Sequence, residues 1–471
     1  MSSCWAIRVS LMVILLIIPQ TSKSMPVSAR AEVSSRLHMP IVMRDFDASW
    51  RSPVGIAMYG SVNDAAGLAK MKDAGAKWVV TMLHWRAIEP QEGERNWAVF
   101  DEKVRNAQAA GMQVFVLFLD NPSWAAPHRD GPVTDTQDLL NFLAAAVERY
   151  DGDGTDDAPG SPRVSVWSFY AEPDADSDNY SFKGRWGSRP REYAEMLKQA
   201  AQIIREKDPR AWVTNGGLAY DWFKEEGGPF VRSFLTDTLR ALNEMGGAGR
   251  FLDAIAVHYY PIAAHRWPTL REKVQEIRSI MARHGVGELP IVIPEMGYWS
   301  EHVPQAPALS SDEDQQARRL VQMFVWGWAE RVPLMAWFAV FDDGPGTEAH
   351  GLFRGRDLNQ PKPAYYAYRT LTQELSHARL LRSLTVSGVE GYVFRMANGV
   401  EKTVLWGTSA QAVGVDFPYS CLRLVNYKGE RFEPILDGDR NWDWDMASNG
   451  QIRLGIFPEV PFFVMPCQSY H

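Results

Sequence analysis

The 471-residue chain predicts an α/β protein, a (β/α)8 TIM barrel followed by a C-terminal antiparallel β-sandwich, and three observations carry the prediction. Short apolar runs alternate with amphipathic helical patterns from residue 54 to residue 376. The runs lack the polar alternation of a sheet with one wet face, so both of their faces are covered. From about residue 378 the texture changes to short strands between Gly and Asn turns. A doubly wound open sheet would bring a phosphate loop near its first strand, and no G-x-G-x-x-G or Walker pattern follows "VGIAMYG".

The elements follow in order. Strand patterns fall at 54–59, 77–83, 112–119, 164–170, 211–215, 253–260, 290–294 and 334–341, each rich in β-branched, leucine or aromatic side chains. Amphipathic helices fill the intervals at 64–75, 98–110, 137–150, 190–206, 229–245, 267–284 and 311–331, and an eighth spans 363–376. This assigns a barrel to residues 51–377 and a sandwich to 378–471, with 32–50 as a candidate extra strand of the sandwich. A sandwich without a clear row of exposed aromatics is better suited to packing on the barrel than to holding carbohydrate.

At the N-terminus, Arg8 precedes the apolar run "LMVILLII", which stops at Pro19 and is followed by small residues at Ala29 and Ala31. That pattern predicts a secretory signal peptide over 1–31 and a secreted or extracytoplasmic protein. The run falls short of the roughly 20 apolar residues a membrane span needs, and no other stretch reaches that length. With Cys4 removed in the signal, Cys421 and Cys467 can form one disulfide or stand as two free thiols. A net charge of −8 without a basic run argues against nucleic acid as a partner. The absence of HExxH, CxxC and G-x-S-x-G removes the support for metalloprotease, thiol redox and serine hydrolase chemistry.

Residues just past the strand ends of such a barrel collect at one mouth. Glu172, in "VSVWSFYAEPD", follows the fourth strand and Glu295, in "PIVIPEMGYWS", follows the seventh. Two carboxylates so placed can break a glycosidic bond, one holding a proton for the leaving oxygen and the other attacking the sugar.

Glu172-Pro173, Glu295, "HYY" at 258–260, "NPSW" at 121–124 and "NQPKPAYYAY" before the last helix together resemble the clan A retaining glycoside hydrolases, with family 39, the xylosidase- and iduronidase-like group, the nearest in flavour. The resemblance covers roughly residues 50–376 and implies β-glycoside hydrolysis by double displacement, with Glu172 as acid/base and Glu295 as nucleophile. It places Tyr260 on Glu295 and His258 in the neighbouring network. An acid that keeps its proton needs apolar surroundings, and Trp167 and Phe169 are the expected neighbours of Glu172. One position departs from the pattern. Where such enzymes carry Asn before the acid/base, to bond the sugar 2-hydroxyl, this chain has Ala171, so that either Asn121, Asn215 or Tyr170 replaces the contact or the substrate lacks an equatorial hydroxyl there. A barrel that binds glycan without cleaving it is the alternative.

Sugar faces pack on aromatic rings, so a carbohydrate partner needs Trp or Tyr at strand ends. Trp85, Trp124, Trp222, Tyr298, Trp299 and Trp337 fall there, and Trp124 and Trp337 are the favoured platforms. The substrate-binding set is thus Trp85, Asn121, Trp124, Asn215, His258, Tyr260, Trp299 and Trp337. His84, Arg86, Asp120 and Asp342 serve either the mouth or the fixing of loops. No cofactor is implied by the chemistry. Asp151, Asp153 and Asp157 begin like a calcium loop, but Pro162 stands where its closing acid belongs, which leaves a structural calcium or an ordinary Gly-Asp turn.

Overall fold

The computed structural model describes residues 52–58, 65–176, 183–261, 266–300, 311–342 and 349–467. The predicted signal peptide over 1–31 and the 32–50 segment lie outside the described residues. Strands β1 (Val54–Ala57), β2 (Trp78–His84), β3 (Gln113–Leu119), β4 (Val166–Phe169), β5 (Trp212–Asn215), β6 (Ile255–Tyr259), β7 (Ile291–Met296) and β8 (Met335–Trp337) form one parallel sheet in the order β5-β4-β3-β2-β1-β8-β7-β6. Bridges Thr214↔Ala254 and Leu218↔Val257 bring its two ends together, and this closes the (β/α)8 barrel. Helices α1 (Ala65–Asp73), α2 (Trp85–Ile88), α3 (Ala98–Ala109), α4 (Thr136–Arg149), α5 (Pro190–Lys207), α6 (Phe234–Glu244), α7 (Leu270–Arg283), α8 (Glu313–Ala329) and α9 (Pro363–Leu375) surround it.

The barrel interior mixes large and small side chains. Trp78, Phe115 and Trp212 fill it, and Ala57, Ala254, Ala256 and Ala336 leave them room. A Cβ on Gly55 would stand 2.5 Å from the Trp78 indole, so the first strand carries glycine opposite the bulkiest interior residue. The alternate residues of the strands, among them Leu83, Trp167, Phe169 and Trp337, pack outward against the helices.

One irregularity positions chemistry. Along the β6–β7 ladder, Ala256 pairs with Val292 but His258 pairs with Glu295, so β7 carries an extra residue at Ile293-Pro294. Proline cannot donate to a ladder and sits naturally at such a bulge. The extra residue turns Glu295 to the face that His258 shares.

Strands β9 (Arg379–Val386), β10 (Val389–Arg395), β11 (Glu401–Gly407), β12 (Val413–Phe417), β13 (Cys421–Asn426), β14 (Arg431–Leu436), β15 (Ile452–Ile456) and β16 (Phe462–Pro466) are antiparallel. Six form a sheet in the order β14-β13-β16-β11-β10-β9, while β12 and β15 form the second layer. Leu405, Val415, Phe417, Leu424 and Leu454 are among the side chains of the shared core. The sheet packs on the barrel through α8, where Trp326 donates its Nε1–H to Glu390 at 2.8 Å and lies edge-on to Trp406. Lys402 of β11 reaches the other way, to the Glu374 carbonyl on α9 at 2.8 Å. Cys421 and Cys467 are joined in a disulfide, with Cα atoms 5.4 Å apart. Among the described residues no helix is long and apolar enough to cross a membrane.

Candidate active site

The mouth is built from the ends of β4, β6, β7 and β8. After β4 the chain turns sharply, with Tyr170 at φ 63° and Glu172 at φ 47°. Left-handed conformations at side chains this large cost about 1–3 kcal/mol each and persist where the surroundings hold them. Here the Tyr170 N–H donates to Phe118 O at 2.7 Å and the Glu172 N–H to Gly217 O at 2.9 Å. The turn lifts the Glu172 carboxylate toward His258.

His258 Nδ1 stands 3.4 Å from Glu172 Oε1 and 3.9 Å from Glu295 Oε1. One imidazole nitrogen thus lies between the two carboxylates, and the sum of those contacts bounds their separation. The Tyr260 hydroxyl donates to Glu295 Oε1 at 2.7 Å. Glycines make the room. A Cβ on Gly217 would lie 2.0 Å from His258 Nε2, and one on Gly297 would lie 2.9 Å from the Tyr260 ring.

Burial by itself raises the Glu172 carboxyl, but the hydrogen bond and charge of His258, then Arg185 and Lys273, outweigh it and hold the group below its ordinary value. Burial likewise lowers the His258 imidazole, and Glu295 and Glu172 outweigh that to raise it. The two shifts run in opposite directions, and each favours the charged form of its group beside the other. The expectation of an apolar setting for Glu172 is therefore corrected. Trp167 and Phe169 belong to the alternate residues of β4 and pack outward, whereas ionic groups face the carboxylate.

Two carboxylate neighbours came from outside the strand ends. Arg185 donates to Ala171 O at 2.7 Å and lies 3.9 Å from Glu172 Oε2. Lys273 reaches in from α7 with 1 % exposure, donates to Ala219 O, and lies 3.9 Å from Asp221 Oδ2. Burial keeps its ammonium below the usual lysine value despite Asp221, Asp174 and Glu172. Its position was readable. Lys273 lies three residues after Leu270 and four before Ile277, on the buried stripe of the helix. Asp174 accepts the Ala219 and Tyr220 N–H groups at 3.1 and 2.8 Å. Its burial, with repulsion from Glu172, pushes the carboxyl up to about 6.

Several residues expected to touch sugar are used by the protein. Trp85 is fully buried, donates its Nε1–H to Glu89 Oε2 at 2.7 Å and stacks on Phe142. Trp337 is also fully buried and donates to His350 O at 3.0 Å. Trp299, 2 % exposed, packs on His350 and backs Tyr260. The Asn121 amide donates to His128 O and Gly131 O, and its Oδ1 accepts from Tyr170 Oη at 2.9 Å. Asn215 accepts the Ala256 N–H at 3.0 Å and donates to Ala256 O at 2.9 Å, stitching the barrel seam. None of the three proposed replacements for the missing Asn is therefore free for a sugar hydroxyl. Trp124 is half-buried, edge-on to Trp85, with its Nε1–H on Glu89 O. Tyr298 is buried. Asp342 holds Lys362 at 2.6 Å and the Gly351 N–H at 2.8 Å, which is a loop-fixing role.

Two others face the mouth. Partly exposed His84, of the same alternation as interior Trp78 and Val80, contacts Asp120 at 3.3 Å. Burial would raise the Asp120 carboxyl, but hydrogen bonds from His84 and Arg129 and the charges of Arg129 and Arg86 hold it well below the carboxylate range. Phe338, partly buried beside the interior core and edge-on to Tyr260, takes the place expected of Trp337. Among the described residues, Trp222 is an exposed ring beside the mouth, 49 % accessible. It borders a cavity of about 170 Å³ that Glu172, His258, Tyr260 and Lys273 also line.

Asp151, Asp153 and Asp157 offer oxygens within 4.8 Å of one another. Their carboxylates also accept neighbouring backbone N–H groups, among them Gly154 on Asp157 at 2.7 Å and Thr155 on Asp153 at 2.7 Å. The cluster lies between α4 and β4, on the barrel face opposite the mouth.

A family model described as beta-galactosidase, glycoside hydrolase family 42, matches residues 64–128. No curated protein matches the chain. Among solved structures, a family 39 glycoside hydrolase from the gut symbiont Bacteroides cellulosilyticus is similar over 88 % of this chain and 81 % of its own, at 18 % identity and a TM-score of 0.65. A glucosidase from Croceicoccus marinus is similar at 16 % identity and TM-score 0.60, covering 88 % of this chain and 96 % of its own. A GH30 endoxylanase from Clostridium papyrosolvens follows at 12 % identity and TM-score 0.56, with the same coverage of 88 % and 96 %. At these identities the likeness is one of fold, and the fold is the (β/α)8 barrel with an appended β-sandwich.

Proposed function

We propose that the protein is a retaining β-glycoside hydrolase, exported through its N-terminal signal, that acts on oligo- or polysaccharide. The observation that carries this reading is the placement of Glu172 and Glu295 on either side of His258 Nδ1, with Tyr260 on Glu295. The solved structures of similar fold are named as glycoside hydrolases, and the matching family model is a beta-galactosidase, which supports the same class. The Cys421–Cys467 disulfide favours an oxidising compartment.

In this reading Glu295 attacks the anomeric carbon as Glu172 gives a proton to the departing oxygen, leaving a glycosyl ester on Glu295. Glu172 then takes a proton from water, whose oxygen displaces Glu295 with configuration retained. In the free protein the cations around Glu172 favour its ionised form. A sugar that displaces water from the carboxyl disfavours its charge and so favours the neutral acid that the step needs.

The test is hydrolysis of a panel of aryl β-glycosides and polysaccharides, with product anomers followed by NMR. Glu295→Ala is expected to abolish turnover, and Glu172→Ala to slow it by roughly 10²–10⁴-fold. Inverted products, or turnover that survives in Glu295→Ala, would refute the assignment. Ala171, with Asn121, Asn215 and Tyr170 all engaged elsewhere, favours a second reading, a glycan-binding barrel. Binding without turnover across the panel would establish it.

A further inference from the structure

The cavity beside Glu172 has a composition that the two-glutamate chemistry does not account for. Its outer wall is Ala219, Trp222, Pro229 and Phe230, all from the segment that follows β5. It is lined by Glu172 on one side, while Glu295 is outside its lining. In a double displacement the proton donor stands against the leaving oxygen and the nucleophile against the opposite face of the sugar. A cavity on the donor's side therefore faces the group that departs. A cavity of roughly 150 Å³ takes a benzene ring, and this one, at about 170 Å³, has room for one six-membered ring.

The wall is held in place at a cost. Tyr220 and Trp222 sit at φ 42° and 30°, in the region that side chains rarely adopt. Asp174 holds the N–H groups of Ala219 and Tyr220, and buried Lys273 holds the Ala219 carbonyl, so the segment is clamped from both sides by charged groups. The Trp222 N–H is taken up by Asp221 Oδ1 at 2.9 Å. Position 228 is glycine because a Cβ there would stand 1.6 Å from the Trp222 carbonyl oxygen and 2.6 Å from its Cγ. The result is a large indole left half in solvent at the edge of an apolar cavity. An exposed aromatic on a segment built to keep it there is the usual arrangement for stacking a flat ring.

We infer that Trp222, Pro229 and Phe230 form a leaving-group subsite that takes a six-membered ring with an apolar face, either an aromatic aglycone or the C–H face of a second sugar. The inference rests on the glycosidase reading for its chemistry but not for its binding. The test compares the wild-type protein with Trp222→Ala and Trp222→Phe on three glycosides of one sugar: a β-fluoride, whose leaving group is too small to touch the wall, an aryl β-glycoside and a β-linked disaccharide. The ratio of kcat/KM for a ring-bearing substrate to that for the fluoride is expected to fall roughly ten-fold in Trp222→Ala and to recover in Trp222→Phe. A fall with the aryl glycoside alone assigns an aromatic aglycone, and a fall with the disaccharide alone assigns a sugar. An unchanged ratio for both overturns the subsite. Saturation-transfer NMR with the same ring-bearing glycosides gives a readout without turnover. Ring-proton saturation that is present in wild type and lost in Trp222→Ala upholds the subsite even if no glycoside is cleaved. Saturation that persists in the variant, or is absent from wild type, overturns it.

Discussion

His258 influences the protonation of the site because its Nδ1 stands within 4 Å of both glutamates. Removing its charge leaves Glu172 without its chief cationic partner, so the Glu172 carboxyl should rise. The alkaline limb of kcat/KM, which reports the free protein's proton donor, is accordingly expected at acid pH in wild type and at higher pH in His258→Gln. A limb that stays put would place the donor elsewhere. Asp174 titrates in the opposite sense. Its pKa is raised to about 6 from the unfolded 3.8, so the folded state binds the extra proton between those values. Stability should therefore fall as pH rises from about 4 to about 6, by roughly 3 kcal/mol at most from this group. A ¹³C titration of the aspartate carboxyls that shows no Asp174 midpoint near 6 would contradict this.

At the scale of the element, the difference between what the sequence offered and what the site uses is a matter of alternation. The eight strand and eight helix patterns were legible because apolar runs and amphipathic stripes are long-range regularities that survive boundary errors of several residues, as at α6, expected from 229 and starting at Phe234, and β8, expected to 341 and ending at Trp337. Which side chain at a strand end points inward is a parity question, and a slip of one residue inverts it. Trp85 and Trp337 were read as inward, whereas the interior alternation runs through His84 and Phe338. Glu295 faces the site because the Ile293-Pro294 bulge shifts its parity, and the proline was the visible sign of it. Asn215 shows the same limit. A polar residue at the end of β5 looks like a ligand, but at the one junction of the barrel joined only by isolated bridges its amide substitutes for ladder hydrogen bonds. Asn215→Ala is expected to destabilise the fold by about 1–3 kcal/mol, since it strands the Ala256 N–H in a buried seam while the Ala256 C=O keeps the Leu218 N–H. Denaturant unfolding measures this, and a loss below about 1 kcal/mol would mean the seam holds without the amide.

For the whole molecule, the β-sandwich and barrel share a boundary made of specific polar contacts as well as aromatic packing. Trp326 bonds Glu390, Arg319 reaches Glu459 at 2.8 Å, and Lys402 pairs with Glu374. The disulfide ties the start of β13 to the residue that follows β16, and β16 lies between β13 and β11 in the six-stranded sheet. If β16 frays, β11 loses its outer partner, and with it the strand that carries Lys402 to α9. The bond closes a loop of 46 residues, for which chain-entropy reasoning gives about 4 kcal/mol at most and native disulfides typically about 2–4. Cys421→Ser in combination with Cys467→Ser is therefore expected to lower the unfolding free energy by about 2–4 kcal/mol, and because the sheet leans on α8 and α9 the loss should appear in the barrel's transition too. Near-UV circular dichroism of the buried barrel tryptophans and hydrogen exchange across β11 and β16 read the two regions separately. Coincident shifts in both would mean that the sandwich braces the barrel. A sandwich that melts early over an unchanged barrel would mean the contacts at α8 and α9 carry little coupling.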